Sequence, residues 1–294
     1  MSDGPSTAVP YSRLASGEKR LHDRPLLEAV SALRSLLPLS RARFDGMLSE
    51  ALEQAAGRGA GFYLGGFVGR RALGNKLLID IDPSVLEKQL DHRVRQGDEV
   101  YSIRDRFLGA GDWRPLLHLL RRSSTHREVM EFVEAAFDYR STNGYRRALE
   151  RAGTERPVKR NFVALSTPAK VDAYFRQTTA MCRSIERHGM LRRADYGLKL
   201  ASFGRPSIRL PWVELGELDI GVAIGASGEV YRFASGKHRT PAAQALGLKS
   251  IPVEVRMVHA EWLGRIIKET GLPPSEALLS GLDRLRVRNM VSES

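Results

Sequence analysis

A single cysteine, Cys182, stands in the 294 residues, which excludes an internal disulfide framework and any zinc cluster built from cysteines. Long apolar runs are missing as well. The longest apolar-looking stretch, Gly59 to Val68, is too short and too rich in glycine to cross a bilayer. Residues 1–24 carry two prolines and no continuous apolar segment of the kind a signal peptide needs, and read as a disordered leader. These absences predict a cytoplasmic protein with no membrane span. There is no internal repeat and no low-complexity tract, so solenoids and arrays are out. A phosphate loop of the Gly-Lys-Ser/Thr kind is also absent, because Gly74-Asn75-Lys76 runs into Leu77.

What the chain does have is positive charge. Lys and Arg number 46 against 34 Asp and Glu, a formal net charge of +12 carried mainly by arginine, whose planar fork suits phosphate and carboxylate. Scattered arginines are solvated surface, and only clusters count toward a nucleic-acid footprint. One such cluster, Arg140, Arg146, Arg147, Arg151, Arg156, Lys159 and Arg160, lies near Tyr139 and Tyr145, which could stack on bases or pack between helices.

Apolar spacing predicts a helical hairpin over Leu26 to Ala56 and a turned connector in the glycine-rich stretch Gly57 to Asn75. Leu77 to Asp82 reads as a short strand stopped by Pro83, with Ser84 capping a helix that runs to Gln96. Asp80 and Asp82 share one face of that strand; without a third ligand nearby they read as strand-end charges rather than metal ligands. Leu116 to Arg122 and Glu128 to Phe137 read as amphipathic helices. Gly153 to Ser166 reads as a linker, and Val171 to His188 as a long helix closed by Gly189. Then come a strand (Gly221 to Gly225), a turn, a partner strand (Val230 to Ala234), a helix (Pro241 to Leu246), a strand (Ile251 to Val258) and a helix from Ala260.

Between the partner strand and the short helix lies the most informative run, Ser235-Gly236-Lys237-His238-Arg239-Thr240. A glycine turn followed by three potentially cationic side chains and a helix start places positive charge and free backbone N–H groups together, as in phosphate sites. Arg239 suits a bidentate grip on phosphate oxygens, and Lys237 adds a point charge. Gly236 admits close approach, His238 can donate a hydrogen bond or pack beneath the turn, and Ser235 and Thr240 can cap it or bind phosphate.

Ser184-Ile185-Glu186-Arg187-His188-Gly189, then the hairpin, then Gly236-Lys237-His238-Arg239 with Ala242-Ala243, Leu246-Gly247 and Ile251-Pro252-Val253 resembles the core of the ParB/sulfiredoxin superfamily. The likeness covers about residues 178–260. Gly111-Asp112-Trp113, with Val258 to Trp262, extends it toward 105–265 and a less characterised branch. The resemblance implies an α/β (α+β) fold, a small mixed sheet with helices over 160–265. It would be preceded by a mostly helical region over 25–155 and followed by a helical tail over 266–294.

The resemblance also implies a nucleotide held by the Gly-x-x-Arg loop. Superfamily members include CTP-hydrolysing partition clamps, ATP-dependent sulfinic-acid reductases and free-serine kinases, so the fold does not choose the reaction. Sulfiredoxins look like Gly-Cys-His-Arg at this loop. Here Lys237 takes the cysteine's place, which argues against sulfinic-acid repair. Only about 35 residues follow His259, too few for the DNA-binding and dimerisation domains of a partition clamp.

The expectation is therefore a nucleotide-binding protein, with ATP or CTP and Mg²⁺, acting as a phosphotransferase or NTPase on a small or glycan-related acceptor. Glu186, Glu217 and Asp219 are the candidate catalytic carboxylates, with Glu214 close by. His259 and Trp262 could line an acceptor pocket, although a core-capping tryptophan is the duller role. The alternative is a DNA- or RNA-associated binding module that performs no catalysis.

Overall fold

Residues 12–13, 39–96, 99–160, 163–192 and 219–290 are described by the computed structural model. The elements in chain order begin with β1 (Ser12–Arg13) and α1 (Arg41–Arg58), the latter capped by the Ser40 hydroxyl accepting from the Arg43 amide. β2 (Gly61–Gly65), α2 (Gly66–Leu73) and β3 (Leu78–Ile81) follow. Five short strands come next: β4 (Lys88–Leu90), β5 (Arg93–Gln96), β6 (Glu99–Ser102), β7 (Arg106–Ala110) and β8 (Leu117–Leu119). Helices α3 (Ser124–Glu134) and α4 (Asn143–Glu150), the two-residue ladder β9 (Lys159–Arg160) and β10 (Val163–Ala164), and α5 (Pro168–His188) complete the middle of the chain. The last elements are β11 (Ile220–Ile224), β12 (Val230–Phe233), α6 (Arg239–Ala245), β13 (Ile251–His259), α7 (Ala260–Thr270) and α8 (Pro274–Met290).

The architecture is mixed α/β. An eight-stranded sheet runs β2-β7-β13-β11-β12-β4-β8, with β3 antiparallel to the first half of β13. At its centre β11 and β13 are parallel, and both are almost wholly buried; β11 is an unbroken apolar run, and β13 carries Glu254 and Arg256 as a pair within its apolar sequence. Opposite faces of β11 serve two cores. Ile220, Val222 and Ile224 join the larger one with α1, α7 and α8, while Ala223 turns to Phe233, Met257 and Trp113. Val222 pairs with Val255 and Ala223 with Met257, so Arg256 is an extra residue bulged from the ladder. Its guanidinium reaches the Glu254 carboxylate at 3.0 Å and the Asp219 carbonyl at 3.4 Å.

A third core lies apart from the sheet. Phe132 of α3, Ala148 of α4 and Val171 and Phe175 of α5 pack together with Tyr139, Tyr145 and Tyr174 around them. Burying each of the two phenylalanines contributes about 1.5–3 kcal/mol.

Several sequence expectations need correction. The region 25–155 is not a mostly helical unit: β2, β3, β4, β7 and β8 from it complete the same sheet as β11 to β13. The helix expected after Ser84 is a 3₁₀ turn followed by β4 and β5, and that expected over Leu116 to Arg122 is β8 flanked by 3₁₀ turns. The glycine-rich connector is β2 and α2. Its glycines serve close packing: a Cβ on Gly69 would lie 2.5 Å from the Phe107 ring. The supposed linker around Gly153 to Ser166 contains the β9–β10 ladder.

Other expectations hold. α5 ends at Gly189, whose φ is 70°. The tail contains the expected helix, α8, with Ala277, Leu278, Leu282 and Leu285 buried. No helix among the described residues is long and apolar enough to cross a membrane. Most of the leader, the first helix of the expected hairpin, Glu214 and Glu217 lie outside the described residues.

Candidate functional site

The turn between β12 and α6 is fixed by its own backbone. Gly236 has φ 84°, and a Cβ there would meet the Ile220 side chain at 2.7 Å. Ala234 takes φ 66°, a strained value for a residue with a side chain. The Ser235 hydroxyl donates to the Asp219 carbonyl at 2.6 Å and accepts the Gly221 amide at 2.8 Å. Thus Ser235 ties the turn to the first residues of β11 and leaves its hydroxyl fully used.

His238 and Lys237 project from this turn toward the helical core. The Tyr174 hydroxyl donates to Oε1 of Glu128 at 2.9 Å and lies 3.1 Å from Nε2 of His238. Since the tyrosine's one proton goes to the carboxylate, His238 donates from Nε2 to the Tyr174 oxygen. Oε2 of Glu128 accepts from Arg160 at 2.8 Å, and Oε1 lies 3.4 Å from the Arg160 Nε. Four elements, α3, β9, α5 and the turn, therefore meet at one carboxylate that is 4% exposed.

The electrostatics follow from this burial. Burial, then the Glu128 charge, lifts the Tyr174 hydroxyl far above its ordinary value, so it is a fixed donor. Burial opposes the charge on Arg160, yet its hydrogen bond and attraction to Glu128 outweigh that and raise its pKa. Lys237 is held below the usual lysine value, first by desolvation, then by Arg160 and Arg232, with Glu128 pulling the other way. Its side chain still reaches solvent.

Arg232, 8% exposed on β12, is pushed down to about 10 by burial, against the attraction of Asp91. It stays charged at neutral pH. One of its amino groups donates to the Ser235 carbonyl at 3.0 Å, and its Nε has no partner among the described residues. His126 is kept neutral by burial and by the charge of Arg232, and its Nδ1 also lacks a partner. So does the buried Thr240 hydroxyl, directly beneath Gly236.

Of the residues expected from sequence, Ser235 to Thr240 form one continuous turn with Asp219 hydrogen-bonded through its backbone to it. Asp219 is 8% exposed. Arg239 opens α6 and is half-buried. Glu186 is exposed near the end of α5, twelve residues and about 18 Å along the axis from Tyr174, and is not brought to the turn. The carboxylate that is brought there is Glu128.

His259 and Trp262 have structural work. His259 is 1% exposed; its Nε2 donates to the Gly111 carbonyl at 2.9 Å, and its Nδ1 accepts the Glu261 amide at the start of α7. Trp262 is buried against Gly228 and Gly281. Tyr139 and Tyr145 are not free stacking platforms, because their rings pack on Phe175 and both hydroxyls meet Asp172. Asp80 pairs with Arg192 and Arg286, and Asp82 caps Ser84.

No protein-family model, curated protein or solved structure matches this chain. The fold and the geometry of the turn therefore carry the functional reading.

Proposed function

We propose that the chain binds a nucleoside triphosphate, ATP or CTP with Mg²⁺, at the Ser235–Thr240 turn and transfers or hydrolyses its terminal phosphoryl group. The acceptor would be water or a small, glycan-related hydroxyl compound. The observation that carries this reading is the convergence of Lys237, Arg160 and Arg232 beside a carboxylate that Arg160 already neutralises. Two like charges beside a third cost free energy unless an anion offsets them. The partnerless Arg232 Nε, His126 Nδ1 and Thr240 Oγ1 lie around the same turn. The resemblance of Gly236-Lys237-His238-Arg239 to the ParB/sulfiredoxin loop supports the same assignment.

In this account Lys237 and Arg239 hold phosphate oxygens, and the spread charge of the transferring group is stabilised by cations already in place. Tyr174 and Glu128 act through His238, fixing its ring and its protonated nitrogen. As the bond from phosphorus to its bridging oxygen breaks, a bond forms to the acceptor oxygen, whose proton passes to solvent. Among the described residues no three His, Cys, Asp or Glu groups converge. Mg²⁺ would be held by the Asp219 carboxylate together with phosphate oxygens, a mode natural to that ion, and would neutralise phosphate charge.

Titration calorimetry with a panel of Mg-nucleotides tests the reading on wild type, Arg239→Ala and Lys237→Met. Binding in the wild type, weakened about tenfold or more in either variant, supports it. Equal binding in all three, or none in any, overturns it.

A further inference from the structure

A second basic concavity lies on α5, away from the turn. Arg176, Thr179, Arg183 and Arg187 fall at helical spacing on one stripe of this helix, beside the buried stripe whose Val171 and Phe175 join the third core and whose Cys182 and Ile185 join the larger one. Together with Phe137 and Tyr139 opposite, they line a cavity of about 440 Å³, within the size range of small-molecule sites. No acidic residue lines it. Asp172, which the Tyr139 hydroxyl meets, is also engaged by the Tyr145 hydroxyl and lies 3.9 Å from Arg140.

Three features set this cavity apart from an ordinary solvated helix face. Thr179 lines it and is 6% exposed, and its buried hydroxyl has no hydrogen-bond partner among the described residues. A buried hydroxyl left unpaired costs about 1–3 kcal/mol, a cost that a ligand oxygen reaching it would remove. Arg183 is already positioned, its guanidinium carbon 5.6 Å from the centre of the Phe137 ring. Phe137 is itself presented by strained backbone, since Ala136 and Phe137 both take positive φ, 49° and 68°, where α3 ends.

We infer that this cavity is a second anion site, for a phosphorylated small molecule with a flat ring. The phosphate sits among Arg176, Arg183 and Arg187, the Thr179 hydroxyl donates to it from the wall, and the ring lies against Phe137. This site is independent of the turn at Lys237: Tyr174 faces His238, whereas the cavity stripe starts at Arg176 and continues to the C-terminal end of the helix. A single-stranded nucleic acid is the less favoured occupant, because Tyr139 is committed to the aromatic core and the arginines surround a concavity rather than an extended groove.

The test uses the full chain with adenosine monophosphate and inorganic pyrophosphate as probes. Calorimetry is paired with mass-spectrometric mapping of arginines modified by phenylglyoxal. Arg183→Gln combined with Arg187→Gln alters exposed side chains only, and Thr179→Val keeps the shape of the wall while removing the hydroxyl. The expected result is probe binding that protects Arg176, Arg183 and Arg187 from modification. The arginine double variant should weaken it about tenfold or more and Thr179→Val severalfold, whereas Lys237→Met should leave that protection unchanged. Absence of binding, unchanged affinity in the variants, protection confined to arginines near Lys237, or binding of a short single-stranded oligonucleotide without binding of either probe would each overturn the inference.

Discussion

The Tyr174 hydroxyl sits 3.1 Å from Nε2 of His238 and donates a hydrogen bond to Glu128 at 2.9 Å. A side chain of the cationic turn is thereby joined to the helical core through one buried carboxylate. Arg160 closes the arrangement from the β9 ladder. The turn is consequently a stiff element, held at Ser235 by the sheet and at His238 by the helices, and a stiff array of cations is what a phosphate site needs.

Removing the charge at the centre of this network should be costly. Glu128→Gln keeps the shape but leaves the Arg160 guanidinium largely buried without a counter-charge. Loss of one member of a buried pair costs about 3–5 kcal/mol, and here water reaching part of Arg160 places the effect near the lower end. Urea unfolding should show that loss. Tyr174→Phe removes a hydrogen bond and should cost less, about 1–2 kcal/mol.

Lys237 gives a pH signature. Its pKa in the folded chain lies below the ordinary lysine value, so between the two values the unfolded chain binds the proton that the folded chain has lost. Stability from this group therefore rises with pH through that window, and the unfavourable charge is fully felt below it. Lys237→Met should raise the thermal midpoint at neutral pH, with a gain that shrinks toward zero as pH passes the ordinary lysine value. A gain that is the same at every pH, or a loss at neutral pH, would count against the electrostatic account.

Cys182 should be silent until the chain unfolds. It is fully buried in α5, and desolvation pushes its thiol up to about 12. A thiol reagent should label the native protein only at the rate of opening, and the labelled fraction in urea should follow the unfolding curve. Rapid native labelling would show that this part of α5 is open.

The central strands were legible because β11 reads as an unbroken apolar run and β13 is a nine-residue stretch dominated by Ile, Val and Met. Strands of three residues such as β4 and β8 were not, since alternation needs more positions than they have. Gly66 and Gly69 of α2 suggested a turn because their reason, close contact with Asp105 and Phe107, is tertiary. The same divide runs through the site. Ser235 to Arg239 is one contiguous segment and its charge is visible in sequence. Glu128 is linked to Arg160 and Tyr174 across 32 and 46 residues, and Tyr174 to His238 across 64, with no local pattern to mark them. The Asp82 cap and the Gly189 helix stop, both local devices, were accessible from sequence in type if not always in partner.

The most direct test of the phosphate assignment is the titration of Lys237 itself. Lysines labelled by reductive ¹³C-methylation can be followed by NMR across pH, with Lys237→Met identifying the resonance. The account predicts that the Lys237 signal titrates below the ordinary lysine value and shifts upward when Mg-ATP or Mg-CTP is added, because a bound phosphate favours the charged ammonium. A Lys237 signal that titrates at the ordinary value and does not move with either nucleotide would contradict it.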